Sequence, residues 1–193
     1  GYMGQVCVNL SRVIAPRHRY NEVVDALANY YDSIQVGDPF DESIDQGPLA
    51  AVRARDRVER YVDIAKKEGA SVVTGGHRPK HLNRGWFYSP TLLAEVTNDM
   101  TIAQEEVFGP VTAVIAHDGI EDAINIANDS RFGLACSIYT KDREIALNAA
   151  RKIRSGAVAI NSAGVSLTQP FGGYKQSGWG RECGPEGILE FTQ

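Results

Sequence analysis

The sequence has no paired cysteine framework. Cys7, Cys136 and Cys183 are its only cysteines, lie far apart, and form no CxxC or Cys/His cluster. That argues against a disulfide scaffold and against a metal site, and makes a reducing cytoplasm the simplest compartment. No apolar run approaches the roughly 18–20 residues of a membrane span. No charged N-terminal region leads into an apolar signal core, so the chain reads as soluble and untargeted, with no membrane partner. A net charge of −4 and the absence of any Lys/Arg run argue against nucleic acid as a partner. Also missing are a GxGxxG after a strand and a GxxxxGK[ST] loop, so these residues encode no complete nucleotide site of either kind.

What is present is an ordinary globular composition, 43% hydrophobic and 23% charged over 193 residues, enough for one domain with a sizeable core. Apolar periodicity alternates between two kinds of element. "QVCVNL" near the N-terminus reads as a first strand or buried segment. After Pro16, Val23, Val24, Leu27, Tyr30, Tyr31 and Ile34 recur at three- and four-residue spacing, which predicts one inward face of a helix. That helix stops before the turn-rich "VGDPFD". A second helix is expected just after Gly47–Pro48, with Leu49, Val52, Val58, Tyr61, Val62 and Ala65 inward and Gly69 as its C-terminal stop. Further strands are predicted at "SVVTGG", "VTAVIA" (111–116), "CSIYT" (136–140) and "GAVAIN" (156–161). Helices are predicted at "IEDAINIANDS" and "KDREIALNAARKI", the latter with Ile145, Ala149 and Ile153 on one face.

Short apolar strands alternating with amphipathic helices predict an α/β fold with an open, mainly parallel sheet flanked by helices, since parallel neighbours need a crossover. Ligands of such sheets bind at the strand C-terminal ends, which makes Asn161 and the loop after it candidate site residues. From Ser162 onward periodicity fades, and six glycines fall between Gly172 and Gly187. The stretch is either a backbone-rich functional loop or a long surface excursion.

The residues around Cys7 leave its role open. A free cysteine usually behaves as a small buried hydrophobe. As a nucleophile it must be a thiolate, which needs a nearby cation, helix N-terminus or base. Arg12 is a possible electropositive neighbour, and none of the four histidines is marked as a partner base.

"GQVCVNLSR" at 4–12 nevertheless resembles the active-cysteine segment of the aldehyde dehydrogenase superfamily. The segments that follow keep the family's order: "VGDPFD", "GPL", "GWFYSPTLL", "MTIAQEEVFGPV" (100–111), "ANDSRFGLACSIYT" and "PFGGYKQSGWGRE" (170–182). The resemblance covers essentially the whole chain and implies that residues 1–193 are the catalytic domain of an NAD(P)-dependent enzyme oxidising a small-molecule aldehyde to a carboxylic acid. It makes Cys7 the nucleophile, forming a thiohemiacetal and then a thioester. It matches Glu106 to the residue holding the nicotinamide ribose hydroxyls and Phe108 to the one packing near the nicotinamide ring. It places Phe171 in the aldehyde channel, with Val6 and Val8 flanking the cysteine where substrate choice varies.

The resemblance also implies a homodimeric or homotetrameric parent. The family's general-base glutamate, oxyanion asparagine and nucleotide-binding segment lie upstream of the active cysteine, and its final oligomerisation strand lies beyond the other end. These 193 residues contain none of them, so the chain alone is expected to be inactive or nearly so. Tyr2 stands where an asparagine is usual. Gln193 stands where many relatives have a glutamate, which would remove one proposed proton-relay carboxylate. The alternatives are a non-enzymatic binding or scaffold domain of the same fold, and a residual thiol esterase.

Overall fold

The computed structural model describes residues 2–164 and 166–192, so Val165 and the expectation attached to Gln193 lie outside the described residues. The chain divides into two compact units, 1–118 and 119–193.

The first unit is built on strands β1 (Arg12–Pro16), β2 (Ser71–Thr74), β3 (Thr91–Ala94) and β4 (Val111–His117), with helices α1 (Tyr20–Ser33), α2 (Val52–Glu68) and the single turn α3 (Thr101–Gln104). The sheet order is β1-β4-β3-β2. β1 and β3 run parallel to β4, and β2 closes one edge antiparallel to β3. The expected α/β architecture is present, with that one edge strand reversed.

Val24 of α1 packs with Ala15, Leu92, Ala94 and Val114, and Val23, Leu27, Ala28 and Tyr31 extend the same apolar face. Two tyrosines bolt this helix to the sheet. The Tyr31 hydroxyl donates to Thr112 Oγ1 at 2.6 Å, and that of Tyr20 donates to the Val114 carbonyl at 3.0 Å. Tyr30, expected inward, is instead 64% exposed, because the face that meets the sheet is centred on Val24, Leu27 and Tyr31. α2 buries Val58, Tyr61, Val62 and Ala65 and ends as expected on Gly69, whose left-handed φ of 107° lets its N–H reach the Ala65 and Lys66 carbonyls. Two residues assigned to its inner face behave differently. Leu49 is buried ahead of the helix, with its N–H on the Trp86 carbonyl, and Val52, at the first turn, is 42% exposed.

The opening segment is not a strand. Tyr2, Met3 and Gly4 have φ of 58°, 53° and 65°, a left-handed run that extended pairing excludes. Backbone bonds from Gln5 to Tyr2 and from Asn9 to Val6 close two successive turns, and the first strand begins only at Arg12. The reason is packing. A Cβ on Gly4 would lie 2.0 Å from the Gly109 carbonyl oxygen, so the two backbones meet face to face. β3 went unpredicted because it is only four residues long and wholly buried, so it offers neither alternation nor an apolar run as long as that of β4.

The second unit holds α4 (Ile120–Asn128), β5 (Phe132–Gly133), β6 (Ala135–Ile138), α5 (Arg143–Lys152), β7 (Ala157–Ile160) and β8 (Tyr174–Lys175). β6 and β7 pair in parallel, and β5 and β8 antiparallel. α5 starts on Asp142, whose carboxylate accepts from the N–H groups of Glu144 and Ile145. Its buried face is Ala146 and Ala149, with Ile145 and Ile153 half-buried.

The glycine-rich stretch is tied down at several points. Phe171 and Glu182 exchange backbone bonds of 2.7 and 2.8 Å, and Arg181 Nη1 donates to the carbonyls of Gly173, Trp179 and Gly180. A Cβ on Gly156 would fall 1.6 Å from the Gly172 carbonyl oxygen, so the start of β7 is in backbone contact with this loop. Lys175 Nζ donates to the carbonyls of Asn128, Ser130 and Phe132 at 2.7, 3.0 and 3.4 Å, closing the C-terminal end of α4.

Two stability measurements check these contacts. Gly4→Ala forces a methyl onto the Gly109 carbonyl, and urea unfolding is expected to show a loss of roughly 1–3 kcal/mol. Lys175→Met leaves three carbonyls without their charged donor, for an expected loss of roughly 2–3 kcal/mol. An unchanged midpoint in either variant would contradict the corresponding contact.

Candidate active site

The Cys7 turn is anchored through the residues that precede it. On its N-terminal side, Gly4 sits on Gly109, and a Cβ on Gly109 would in turn lie 2.3 Å from Val58 Cγ2 of α2. Met3 is buried beneath this contact. Gln5 Oε1 accepts from the Ala50 N–H at 3.1 Å, linking the turn to the approach of α2. Cys7 is exposed at the top of the turn, while Val6 and Val8 are half-buried beside it. Its backbone N–H has no acceptor among the described residues, which leaves a donor beside the sulfur. Arg12, the cation suggested from sequence, points one guanidinium nitrogen at Asn98 Oδ1, 2.6 Å away.

The segment Glu105–Gly109 runs between α3 and β4, against the Cys7 turn. Phe108 takes a left-handed φ of 53°, a conformation costing on the order of 1 kcal/mol for a side chain of this size and maintained only where its surroundings fix it. Two such restraints come from α2. Arg57 Nη2 donates to the Phe108 carbonyl at 3.3 Å, and the same guanidinium lies 6.0 Å from the Phe108 ring centroid. One turn on, the Tyr61 hydroxyl donates to Glu105 Oε2 at 2.7 Å. Burial, followed by that bond and the charge of Glu105, raises the Tyr61 phenol above its usual range, so it remains a donor. Glu106, between these anchors, is exposed, and its carboxylate meets no hydrogen-bond donor among the described residues.

Phe108 lines a cleft of about 460 Å³ together with Tyr2, Met3, Gln5, Asp45, Gln46, Gly47, Pro48 and Ala50. The cleft therefore joins the cysteine turn to the Phe108 segment and to the loop before α2. Gln46 Oε1 is buried there without a hydrogen-bond partner among the described residues. A cleft lined by the Phe108 ring and the side chains of Gln5, Asp45 and Gln46 suits a ligand that carries hydroxyl or amide donors next to a flat ring. A nicotinamide riboside has that donor set, so these residues fit such a group. Among the described residues no cluster of three or more His, Cys, Asp or Glu could hold a metal ion. No helix is long and apolar enough to cross a membrane.

In the second unit, Phe171 is half-buried and lines a separate cavity of about 430 Å³ with Gly156, Val158, Ser162 and Pro170 among others. Asn161 accepts from the Thr140 N–H at 2.9 Å and donates to the Thr140 carbonyl at 2.8 Å, which closes the end of β6 while one amide N–H of this exposed side chain stays available.

Reading the sequence by itself marked Tyr61 only as a packing residue of α2 and Gln5 only as part of the cysteine segment, and it passed over Gln46 and Arg57, which no local pattern singles out.

Comparison with known proteins covers the same span. The aldehyde dehydrogenase family model matches residues 1–193. A putative aldehyde dehydrogenase of Staphylococcus haemolyticus is 44% identical over 191 residues, covering 98% of this chain and 40% of the relative. The geranial dehydrogenase of Castellaniella defragrans is 44% identical over 185 residues, covering 96% of this chain and 38% of that enzyme. Among solved structures, a Mycobacterium tuberculosis aldehyde dehydrogenase complexed with NAD+ superposes with a TM-score of 0.97 at 50% identity, over 99% of this chain and 40% of that one. Betaine aldehyde dehydrogenase from Staphylococcus aureus in complex with NAD+ gives 0.96 at 39% identity, over 98% and 38%. The chain thus spans about 40% of the length of the first relatives it matches. In its sequence, its fold and the order of its motifs, it belongs to the aldehyde dehydrogenase family.

Proposed function

We propose that residues 1–193 serve as the catalytic domain of a cytoplasmic enzyme, homodimeric or homotetrameric, that oxidises a small-molecule aldehyde to a carboxylic acid with NAD or NADP. The observation that carries this reading is the exposed Cys7, held on a rigid turn against the segment that bears Glu106 and Phe108.

Cys7 Sγ attacks the carbonyl carbon, forming a C–S bond and shifting the π electrons onto oxygen. The Cys7 backbone N–H is a fixed donor for that oxyanion, and the family's asparagine would supply a second from the rest of the protein. The chemistry that the dinucleotide supplies when bound is hydride acceptance. Loss of hydride from the tetrahedral adduct leaves an acyl thioester on Cys7. Water then cleaves it, releasing the acid and the thiolate, with the proton taken by a base outside these residues. Glu106 is suited to accept from two adjacent ribose hydroxyls, Phe108 to pack against the nicotinamide ring, and Gln46 to accept from a hydroxyl or amide in the cleft. Val6, Val8 and Phe171 are the residues assigned to the aldehyde. Their aliphatic and aromatic character favours an apolar substrate.

Three measurements test this. In the full-length protein, aldehyde-dependent NADH formation is expected, and Cys7→Ala should lower kcat by roughly 10³–10⁶. The 193-residue chain alone should form no NADH above background. Iodoacetamide labelling of the folded chain should reach Cys7 before the half-buried Cys136 and Cys183. Equal labelling of all three thiols, or full turnover by Cys7→Ala, would overturn the assignment of Cys7.

A further inference from the structure

We propose that Arg57 and Tyr61 are positioning residues for the dinucleotide. From one face of α2 they set the direction in which Glu106 and Phe108 are presented. The inference rests on the assignment of those two residues to the cofactor.

Glu106 makes no hydrogen bond of its own to any described residue, so the orientation of its carboxylate follows from the backbone on either side. Both sides are tied to α2. Tyr61 holds the preceding residue through the Glu105 carboxylate at 2.7 Å, and Arg57 holds the carbonyl of Phe108, two residues on, at 3.3 Å. Residues 57 and 61 are four apart, hence one above the other on a helix, and Val58 between them packs on Gly109. Three consecutive grips along one helix face thus span the five residues from Glu105 to Gly109.

Arg57 does more than donate one bond. Its guanidinium also faces the Phe108 ring at 6.0 Å, so one side chain restrains both the carbonyl and the ring of the same residue. Its Nε is buried without an acceptor among the described residues, so this guanidinium is held by the bond from Nη2 to the Phe108 carbonyl and by the ring contact. Tyr61 is 7% exposed, so a buried ring carries its hydroxyl to the carboxylate of an exposed residue. A helix that only needed a packed face would be served as well by phenylalanine at 61 and by a long aliphatic residue at 57.

The test uses the full-length protein with Tyr61→Phe, Arg57→Met and Arg57→Lys, alongside Glu106→Gln as a check on the underlying assignment. Two readouts are independent of turnover: amide hydrogen exchange of residues 105–109 in the cofactor-free protein, and the dissociation constant for NAD+ measured calorimetrically without aldehyde. Tyr61→Phe and Arg57→Met are each expected to raise exchange in 105–109 and to weaken NAD+ binding by roughly tenfold, the equivalent of one hydrogen bond to a charged group. Arg57→Lys should recover part of both. In turnover, the KM for the dinucleotide should rise more than the KM for the aldehyde.

Exchange and affinity that stay unchanged in folded Tyr61→Phe, while Glu106→Gln weakens binding, would overturn the positioning role and leave the cofactor assignment standing. Raised exchange with NAD+ affinity unaffected in every variant, Glu106→Gln included, would overturn both. Should Arg57→Met not fold, Tyr61→Phe, which removes a single oxygen, decides the question.

Discussion

The first unit depends on one close approach, that of Gly109 lodged between Gly4 and Val58. No side chain can stand on either glycine, because an added Cβ would lie 2.0 Å from a carbonyl oxygen in one case and 2.3 Å from a methyl in the other. Three parts of the chain distant in sequence are brought together there: the turn that carries Cys7, the segment that leads into the central strand β4, and the helix α2. Interiors packed at crystal-like density leave little room for adjustment at such a junction, so a shift of any one partner is passed to the other two. The cysteine is therefore placed by the sheet and by α2 through rigid backbone.

Much of this was visible in the amino acids, and the parts that were not share physical causes. The helices α1 and α2 followed from periodicity because each has one wet face and one dry face. The Gly69 stop followed from the need for a left-handed residue where a helix ends. β3 was hidden because Thr91, Leu92, Leu93 and Ala94 are too few to form an apolar run and are all buried, so no alternation marks them either. The opening residues suggested a strand because "QVCVNL" is apolar and short, and nothing in it shows that Tyr2 and Met3 adopt positive φ. Gly4, the last residue of that left-handed run, meets the backbone of Gly109, far away in the sequence.

The candidate site divides along the same line. Cys7 looks bland on composition and spacing, and acquires its meaning from the ordered motifs that follow it. Tyr61 could be read only as a packing residue and Arg57 was not singled out at all, because their polar ends meet partners in a segment that no local pattern links to α2. Gln46 is recognisable only once the structure shows its amide oxygen buried and unmatched. A residue whose job is to hold another in place carries no chemical signature in the sequence, since its type is also what a well-packed helix would contain.

The way the Cys7 turn is held has a consequence for how such a protein can diversify. Its restraints are backbone turns, a glycine contact, the buried Met3 and the Gln5 amide, and none involves the side chains at positions 6 and 8. Those two half-buried side chains can change in size and polarity without disturbing the geometry of the sulfur between them. On the proposed reading, in which these side chains flank the nucleophile, a lineage can explore new ligands one substitution at a time while the sulfur stays where it is.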